Sequence, residues 1–405
     1  MPGNAAYGVG LAYRGFFRSA LMKNRDSIDF LEIPTEDYIV RARRIMNDPV
    51  GAVLRETMDA FPCVAHGISL SIGSVEPLET DILERTREFM DEYGFDEFSD
   101  HLTYHRMNDQ DLTVFLSIPW DEVAARWVAS QYKLAREIMK QPIGLELVAY
   151  GFPVTGGELS ETEFVHKVAE YTDCWFLLDA ANVFINAANH GGDPYEFIAN
   201  LPGDRIQHMH IAGGHYADGQ WMDSHSQPVQ KEVFDLLDFA IEHTSARAVT
   251  LERDAPPDEF GPILDDVLHA KEIFLKHRPA EPAPNLEALV KVAPEIKTVI
   301  DPLSLNDPSA ELKDLQRYQR ALVDCAFEMA SGKHEGQTQD QIIDSFEISE
   351  EWKGRWRGMD WKAMITLKDK LAFIIEDDEE AARYYQMAEM GQWANLLGRD
   401  SFMGR

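Results

Sequence analysis

Eight short apolar segments, rich in β-branched and aromatic residues, recur through residues 1–276 and are separated by stretches long enough for a helix. Two of the separating stretches, Leu78–Tyr93 and Thr162–Tyr171, carry apolar residues at helical spacing. Strands that alternate with helices form parallel sheets, and eight such units are typical of a closed (β/α)₈ barrel. A doubly wound dinucleotide-binding fold would need a Gly-rich turn after an early strand, and none is present. The predicted strands are Tyr7–Tyr13, Ile28–Pro34, Pro62–Ser69, Glu97–Tyr104, Ile143–Tyr150, Cys174–Val183, Arg205–Gly213 and Arg247–Asp254.

A proline-rich segment follows the predicted barrel. His277–Asn285 holds three prolines in nine residues, which favours an extended linker because proline fixes φ and removes a backbone donor. Beyond it, Ala310–Met329 and Trp361–Leu397 show helical spacing, and Ser331–Asp340 is predicted to be a polar loop. The predicted organisation is a barrel domain over 1–276, a linker over 277–285 and a mainly helical C-terminal domain over 286–405.

The charge of the chain excludes several classes of partner. A net charge of −32 repels phosphate backbones and anionic membrane surfaces, so neither nucleic acid nor a membrane is an expected partner. No apolar run is long enough to cross a bilayer, and the N-terminal segment lacks the pattern of a signal peptide. We therefore expect a cytoplasmic protein. Cys63, Cys174 and Cys325 are widely spaced and are expected to be buried thiols.

Metal-ligand residue types gather where the predicted strands end, which is where side chains face the active site in this fold. Six of the eight strands, or the loops directly after them, carry a His, Asp or Glu at this rim. A single histidine in such a place is more often a core residue than a ligand. A glutamate inside an apolar strand, such as Glu146 or Glu252, needs a partner, a cation or a shifted pKa, because burying an unpaired carboxylate is unfavourable by several kcal/mol. The residues at this rim are His66, Asp100, His101, Glu146, Asp179, Asn182, His208, His210, Asp223, His225 and Glu252.

Convergence of six strands on one rim indicates a metal site. Imidazole and carboxylate without thiolate favour iron, manganese, cobalt or zinc over copper(I) or an iron–sulfur cluster. The number of candidate ligands exceeds what one ion needs, so a bridging carboxylate shared by two or three ions is expected.

Several sequence blocks resemble the multinuclear non-heme iron-dependent oxidative enzymes, also known as domain of unknown function 692. The resemblance covers about Tyr7–Lys276, and the family is similar in architecture to xylose isomerases and to endonuclease IV. The matching blocks are HGISLSIGS (His66–Ser74), SDHLTY (Ser99–Tyr104), LLDAANVFINAANHGGDP (Leu177–Pro194), HIAGGH (His210–His215), DSHSQPV (Asp223–Val229) and LERD (Leu251–Asp254).

This resemblance implies a layout of three cation positions with Glu146, Asp179 and His210 at the centre of the chemistry. The third position departs from the nuclease layout, since an asparagine stands where the nuclease has a histidine; an amide oxygen is the weaker ligand. The implied sets are His66, His101 and Glu146 for the first ion; Glu146, Asp179, His210 and Glu252 for the second; and Asn182, Asp223 and His225 for the third.

Other residues are expected to support the centre. Glu32 and Glu36 end the second strand and are expected near the cluster as hydrogen-bond partners, which metal sites usually require. His190 either lines the pocket or caps a loop. His208 lies two residues before His210, so it faces the same side one layer deeper, as core or as support. The resemblance also makes Tyr104 and His105 candidate substrate contacts.

The resemblance implies that the chain oxidises a ribosomally made precursor peptide, often at cysteine, with two or three iron ions of mixed Fe²⁺ and Fe³⁺ state and O₂ as co-substrate. A small leader-binding partner protein often accompanies such enzymes. The aromatic residues of the tail could form a docking surface, although a helical core is the simpler interpretation; these residues are Trp352, Trp356, Trp361 and Phe373.

Two other functions stay open at this stage. A divalent-metal sugar isomerase or lyase of the xylose isomerase type would need a lysine or histidine near the cluster for proton transfer, and no strand end offers an obvious lysine. A non-catalytic metal-binding scaffold would place the function in the tail. Iron content with O₂ uptake would distinguish an iron oxidase from the isomerase or lyase, which would hold manganese or zinc and consume no O₂. A substitution at Glu146 would distinguish an enzyme from a scaffold, because a scaffold would keep its partner.

Overall fold

The computed structural model describes residues 7–39, 49–107, 110–151, 157–217, 219–254, 259–278, 298, 301–359, 361 and 364–365. Eight parallel strands close into a barrel in which each strand pairs with its neighbours in chain order, and the first pairs with the last. This confirms the predicted (β/α)₈ barrel. The strands are β1 (Gly8–Ala12), β2 (Leu31–Pro34), β3 (Cys63–His66), β4 (Phe98–His101), β5 (Gly144–Leu147), β6 (Trp175–Asp179), β7 (Ile206–Ala212) and β8 (Ala248–Glu252).

The strands are buried along nearly their whole length. Segments such as Trp175–Asp179 and Ala248–Glu252 are mostly apolar and are buried at every position, as expected for strands covered on both faces. Every predicted strand exists, but the predictions run too long at their ends. The prediction Cys174–Val183 is the clearest case, because a helix begins at Ala180.

Helices surround the barrel and reverse the chain between strands. Ser160 begins Glu161–Tyr171 with a reciprocal capping box to Glu163, and Gly94 ends Thr80–Tyr93 in a left-handed conformation at φ 76°. The α-helices of the barrel region are Arg18–Lys23, Glu36–Ile39, Pro49–Ala60, Thr80–Tyr93, Glu122–Met139, Glu161–Tyr171, Ala180–His190, Pro194–Ala199, Lys231–His243 and Gly261–His277, and short 3₁₀ turns span Gly15–Phe17 and Arg25–Ser27.

Two antiparallel hairpins stand on the carboxyl-terminal rim of the barrel, and the sequence did not predict them. The first pairs Tyr104–Met107 with Gln110–Leu116 after β4, and the second pairs His215–Ala217 with Gln220–Met222 after β7. Both are insertions between a barrel strand and the helix that follows it, at the rim where this fold places its active site.

The described part of the tail packs against the barrel. Its helices are Ala310–Ala330, Gln339–Asp344 and Glu350–Arg357, and their apolar side chains join the same hydrophobic core as the barrel. Arg355 forms a buried ion pair with Asp121, which precedes the helix Glu122–Met139. Trp352 and Trp356 are buried, so these two residues belong to a core and not to a docking surface.

Some predictions for the C-terminal part lie outside the described residues. These are residues 279–285 of the predicted linker, the helical segment beyond residue 365, and Phe373. The division of the chain into two domains therefore stays a prediction. The polar loop predicted over Ser331–Asp340 is shorter than expected, because a capping box at Thr338 starts the helix Gln339–Asp344. Within the described ranges no helix is long and apolar enough to span a bilayer.

Candidate metal centre

Strand register brings the candidate ligands to one level of the barrel. His101 on β4 lies beside Glu146 on β5, and Asp179 on β6 lies beside His210 on β7. Neighbouring positions in a parallel sheet place their side chains at the same height, so four strands deliver these groups to one layer. Residues that are far apart in sequence thus lie close together at the barrel rim.

The carboxylate of Glu146 lies at the centre of this cluster. Its Oε2 is 3.3 Å from Nε2 of His66 and 3.5 Å from Nε2 of His101. The same oxygen is 3.7 Å from Nδ1 of His210. One oxygen facing three imidazole nitrogens from three strands is the arrangement expected of a bridging ligand.

A second carboxylate, Glu252, links His210 to His225. Its Oε2 lies 3.1 Å from Nδ1 of His210 and 3.7 Å from Nδ1 of His225. Nε2 of His225 in turn lies 2.7 Å from Oδ1 of Asp223. The cluster therefore continues from the barrel centre toward the loop after β7, where Asp223 and His225 are its more exposed members.

Four groups of three residues place one candidate ligand atom each within 4.8 Å of one another. The three residues of the first predicted set lie together in one group, and Glu146, Asp179 and His210 of the second set lie together in another. His225 of the third set is grouped with Asp179 and Glu252. The four groups are Glu32, His66 and His210; His66, His101 and Glu146; Glu146, Asp179 and His210; and Asp179, His225 and Glu252.

Asp179 divides its two oxygens between structure and cluster. Oδ1 accepts hydrogen bonds from the backbone N–H groups of Ala181 and Asn182 and so caps the helix Ala180–His190. Oδ2 is buried and has no hydrogen-bond partner among the described residues. The helix start therefore fixes the carboxylate while one oxygen stays available to a cation.

Asn182, predicted as a ligand of the third ion, lies beside Glu146. Its Nδ2 donates to Oε1 of Glu146 at 3.2 Å and to the carbonyl oxygen of Leu147 at 3.3 Å. Both partners only accept hydrogen bonds, so the amide orientation follows from the network. Oδ1 of Asn182 is buried and unpaired within the described structure, so it remains available as a ligand.

The pattern of unpaired atoms fits a bound cation. Buried polar atoms normally have a hydrogen-bond partner, and those without one need an explanation such as an ion. Among the described residues no lysine or arginine forms an ion pair with Glu146, Asp179 or Glu252. Several buried atoms at the cluster make no well-directed hydrogen bond in the described part of the chain, although Nε2 of His225 lies 2.7 Å from Asp223 and Nδ1 of His210 lies 3.1 Å from Glu252. These atoms are Glu146 Oε2, Asp179 Oδ2, Asn182 Oδ1, His210 Nδ1 and His225 Nε2.

The pKa values of the cluster reflect the concentration of buried carboxylates. Burial raises the pKa of Glu146 to about 8, and burial with the nearby Asp223 carboxylate raises the pKa of Asp179 to about 7. Burial lowers the pKa of His66 to about 4, whereas for His101 burial is outweighed by the carboxylates of Glu146, Asp100 and Glu252 together, which raise the pKa to about 9. A cation must therefore displace protons from the carboxylates, so its binding releases protons.

The distal nitrogens of two histidines, His210 and His66, are held by other residues. Nε2 of His210 lies 2.9 Å from Oε2 of Glu32, which also accepts from the hydroxyl of Thr250. Nδ1 of His66 lies 2.8 Å from the hydroxyl oxygen of Ser99. Such contacts fix the ring orientation and tautomer of a metal-binding histidine. Glu32 therefore lies where the sequence predicted it, while Ser99 and Thr250 were missed because their partners lie on other strands.

His225 is held by a longer chain of contacts that the sequence did not reveal. Its Nδ1 lies 3.1 Å from Oδ2 of Asp254, whose backbone N–H donates to the carbonyl oxygen of His225 at 2.9 Å. Arg14 donates from Nε to Oδ1 of Asp254 at 2.9 Å. The backbone of His225 has φ 48°, a left-handed conformation that is uncommon for a non-glycine residue. These contacts explain how an unfavourable conformation is maintained.

Two other predicted supporting residues act at a distance from the carboxylate cluster. Glu36 accepts hydrogen bonds from the backbone N–H groups of Ile68 and Ser69, so it orders the loop directly after His66. Nε2 of His190 donates to the carbonyl oxygen of Tyr150 at 3.0 Å, and the two rings stack. His190 therefore contacts the loop after β5.

Tyr104, His105 and His208 are buried and do not line a substrate pocket. Tyr104 is fully buried and His105 nearly so, so the structure does not support a substrate contact from either side chain. His208 lies below His210, with Nε2 2.7 Å from Oε2 of Glu97 and its ring against Trp175. It belongs to a buried ionic pair at the opposite end of the strands.

Taken together, the structure is a (β/α)₈ barrel with a cluster of candidate metal ligands at the carboxyl ends of its strands, where this fold places its reactive centre. A family model described as "RiPP precursor modification enzyme MbnB/TglH/ChrH" matches residues 8–274. The chain belongs to this family, and the resemblance to the multinuclear non-heme iron-dependent oxidative enzymes is confirmed. The matched segment contains all nine predicted ligands.

Relatives with less informative names share the same segment. A UPF0276 protein of Alcanivorax borkumensis is 34% identical over 259 residues, which cover 61% of this chain and 84% of that protein. A UPF0276 protein of Nitrosospira multiformis is 33% identical over 274 residues, covering 66% of this chain and 94% of that protein. Among solved structures, a xylose isomerase domain protein of Planctomyces limnophilus is 15% identical with a TM-score of 0.42, covering 68% of this chain and 98% of that one.

Proposed function

We propose that the chain binds two or three iron ions at the rim cluster and uses them with O₂ to oxidise a ribosomally made precursor peptide, at a cysteine. The observation that carries the proposal is the set of unpaired buried atoms around Oε2 of Glu146. The donor set of imidazole, carboxylate and amide oxygen suits iron, and the family to which the chain belongs modifies precursor peptides. Cytoplasmic location and a small leader-binding partner protein are parts of the same proposal.

The residues divide between the ions along the line of the cluster, with the most buried set in the middle. His66, His101 and Glu146 would hold the first ion, and Glu146 would share the second with Asp179, His210 and Glu252. Asp223, His225 and Asn182 would hold the third. When bound, iron supplies a Lewis acid that deprotonates a coordinating thiol and a redox centre that reacts with O₂.

The protein residues orient and shield this centre. Glu32 and Ser99 keep the outer nitrogens of His210 and His66 occupied, so that the opposite nitrogens face the cluster. The ring centroid of Phe115, from the first hairpin, lies 4.5 Å from that of His101. Phe115 therefore provides an apolar wall beside the ion position of the first set. Asp223 and His225 are the more exposed ligands, so the substrate thiol is expected to approach from their side.

Anaerobic reconstitution tests the proposal. Protein expressed without added metal is loaded with Fe²⁺, desalted and assayed for iron by mass spectrometry, and O₂ uptake is then followed with and without a cysteine-containing precursor peptide. We expect two or three iron ions per chain and peptide-dependent O₂ uptake. Glu146→Ala should lose both, with Glu163→Ala on a surface helix as the control. Tight binding of manganese or zinc without O₂ uptake would refute the iron chemistry and favour an isomerase.

A further inference from the structure

One face of the helix Ala180–His190 carries three polar residues at a spacing of four. Asn182, Asn186 and His190 therefore lie in a row along the helix, one turn apart. The row begins next to Asp179, which caps the helix, and ends at the last helical residue. We call these three residues the ladder.

Each member of the ladder binds successive backbone groups of the chain that leaves β5. Asn182 donates to the carbonyl oxygen of Leu147, as described above. Asn186 donates from Nδ2 to the carbonyl oxygen of Val148 and accepts at Oδ1 from the N–H of Tyr150, both at 3.1 Å. His190 donates to the carbonyl oxygen of Tyr150 at 3.0 Å. The helix thus satisfies backbone groups of Leu147, the last residue of β5, and of residues 148–150, which have left the sheet.

The segment 147–150 directly follows Glu146 in the chain. Since Asn182 also donates to Oε1 of Glu146, the same helix face holds both the carboxylate and the backbone that follows it. The helix start holds Asp179, so one rigid element fixes two carboxylates from neighbouring strands relative to each other. Asn186 and His190 contribute to this arrangement through hydrogen bonds to the segment after Glu146 and not to any candidate ligand.

We propose that Asn186 and His190 are positioning residues for Glu146, which they control by clamping the loop 147–150 against the helix Ala180–His190. The inference rests on the proposed function only in that Glu146 must bind a cation. Contacts that orient ligands from outside the coordination sphere change metal affinity by about 10–100-fold. Loss of the clamp should therefore weaken cation binding without exposing or removing a ligand.

The chain supplies a matched control on the same helix. Asn189 makes the same two types of bond as Asn186, donating to the carbonyl oxygen of Trp221 at 2.8 Å and accepting from its N–H at 2.9 Å. It holds the second hairpin and not the loop after β5. Asn186→Ala and Asn189→Ala therefore remove equivalent bonds and change the helix propensity equally.

Titration of the apo protein with Co²⁺, followed by its visible absorption, tests the inference without any turnover. We expect Asn186→Ala and His190→Ala to weaken the first equivalent of Co²⁺ by about tenfold or more and to change its absorption bands. Asn189→Ala should leave the first equivalent of Co²⁺ unchanged, because the hairpin that it holds leads to Asp223 of the third set and not to Glu146. His190→Gln should bind as the unaltered protein does, because the glutamine amide can donate to the carbonyl oxygen of Tyr150. The comparison of His190→Ala with His190→Gln remains informative if Asn186→Ala does not fold.

The outcomes separate the two proposals. Unchanged Co²⁺ affinity and spectrum in Asn186→Ala and His190→Ala would overturn the positioning role while leaving the metal centre intact. Equal weakening in Asn186→Ala and Asn189→Ala would also overturn it, because the effect would then belong to the helix in general. If the unaltered protein bound no Co²⁺, the metal centre itself would be wrong.

Discussion

Replacing Gln319 by alanine should destabilise the barrel although the residue lies in the C-terminal tail. The side chain is fully buried, and its Oε1 accepts from the backbone N–H of Val75 at 2.9 Å. Its Nε2 donates to the carbonyl oxygen of Gly73 at 2.8 Å. One residue of the helix Ala310–Ala330 therefore satisfies two backbone groups of the loop that follows β3.

The expected magnitude follows from those two bonds. Removing the amide leaves one buried donor and one buried acceptor without a partner, and each such group is unfavourable by about 1–3 kcal/mol. The higher helix propensity of alanine offsets only a few tenths of a kcal/mol. We therefore expect Gln319→Ala to lower the free energy of unfolding by about 4 kcal/mol.

Chemical denaturation followed by circular dichroism measures this change, and hydrogen exchange at the Val75 amide locates it. Gln316→Ala is the matched control, because Gln316 lies three residues earlier on the same helix and is only half-buried. An unfolding free energy of Gln319→Ala within about 0.5 kcal/mol of the control, the spread usual for surface substitutions, would refute the reasoning. Unchanged exchange at Val75 would do the same.

Three further outcomes can be checked. Burial raises the pKa of Glu161 to about 7, from 4.5 in the unfolded chain, so its contribution to stability falls as pH rises from about 4.5 to above 7. Glu161→Gln should therefore be more stable than the unaltered protein at pH 8, by about 1–3 kcal/mol in urea denaturation, but not at pH 4. Asp254→Ala should lose one iron ion per chain in metal analysis, because His225 loses its orienting contact. Removing bound metal with a chelator should lower the melting temperature, whereas apo Glu146→Gln should melt above the unaltered apo protein, because one buried carboxylate is removed.

Each of these has an outcome that contradicts it. A pH-independent effect of Glu161→Gln would mean that its carboxyl group titrates alike in the folded and unfolded chain. Retention of all iron by Asp254→Ala would show that His225 needs no support from this contact, and Asp254→Asn is the control that keeps an acceptor. A melting temperature unaffected by chelation would mean that no cation stabilises the folded state.

Residue pattern alone located all eight strands and the rim residues, because both rest on local signals. Alternation of apolar strands with helices fixes the fold, and the fold fixes which strand ends face the centre. The strand ends were less certain: Leu177 to Val183 is almost continuously apolar, and only the cap formed by Asp179 shows where β6 stops. Periodicity cannot separate a buried strand from a buried helix over so short a run.

Contacts between distant parts of the chain could not be predicted from the sequence. Arg14 and Asp254 are separated by 240 residues, and nothing near either one indicates the other. The packing of the tail on the barrel could not be predicted for the same reason, because Gln319 and Val75 are 244 residues apart. Helical spacing revealed the helix Ala310–Ala330 but not the surface that it covers.

The contact of Glu32 with His210 and Thr250 sets an order of events during biosynthesis. These partners are 178 and 218 residues apart in the chain, so the pocket does not exist until the ribosome has released nearly the whole barrel. A nascent chain that ends just before residue 210 carries His66, His101 and Glu146 but lacks His210 and Glu252, which the proposed second ion position needs. Filling of that second position would therefore follow closure of the barrel.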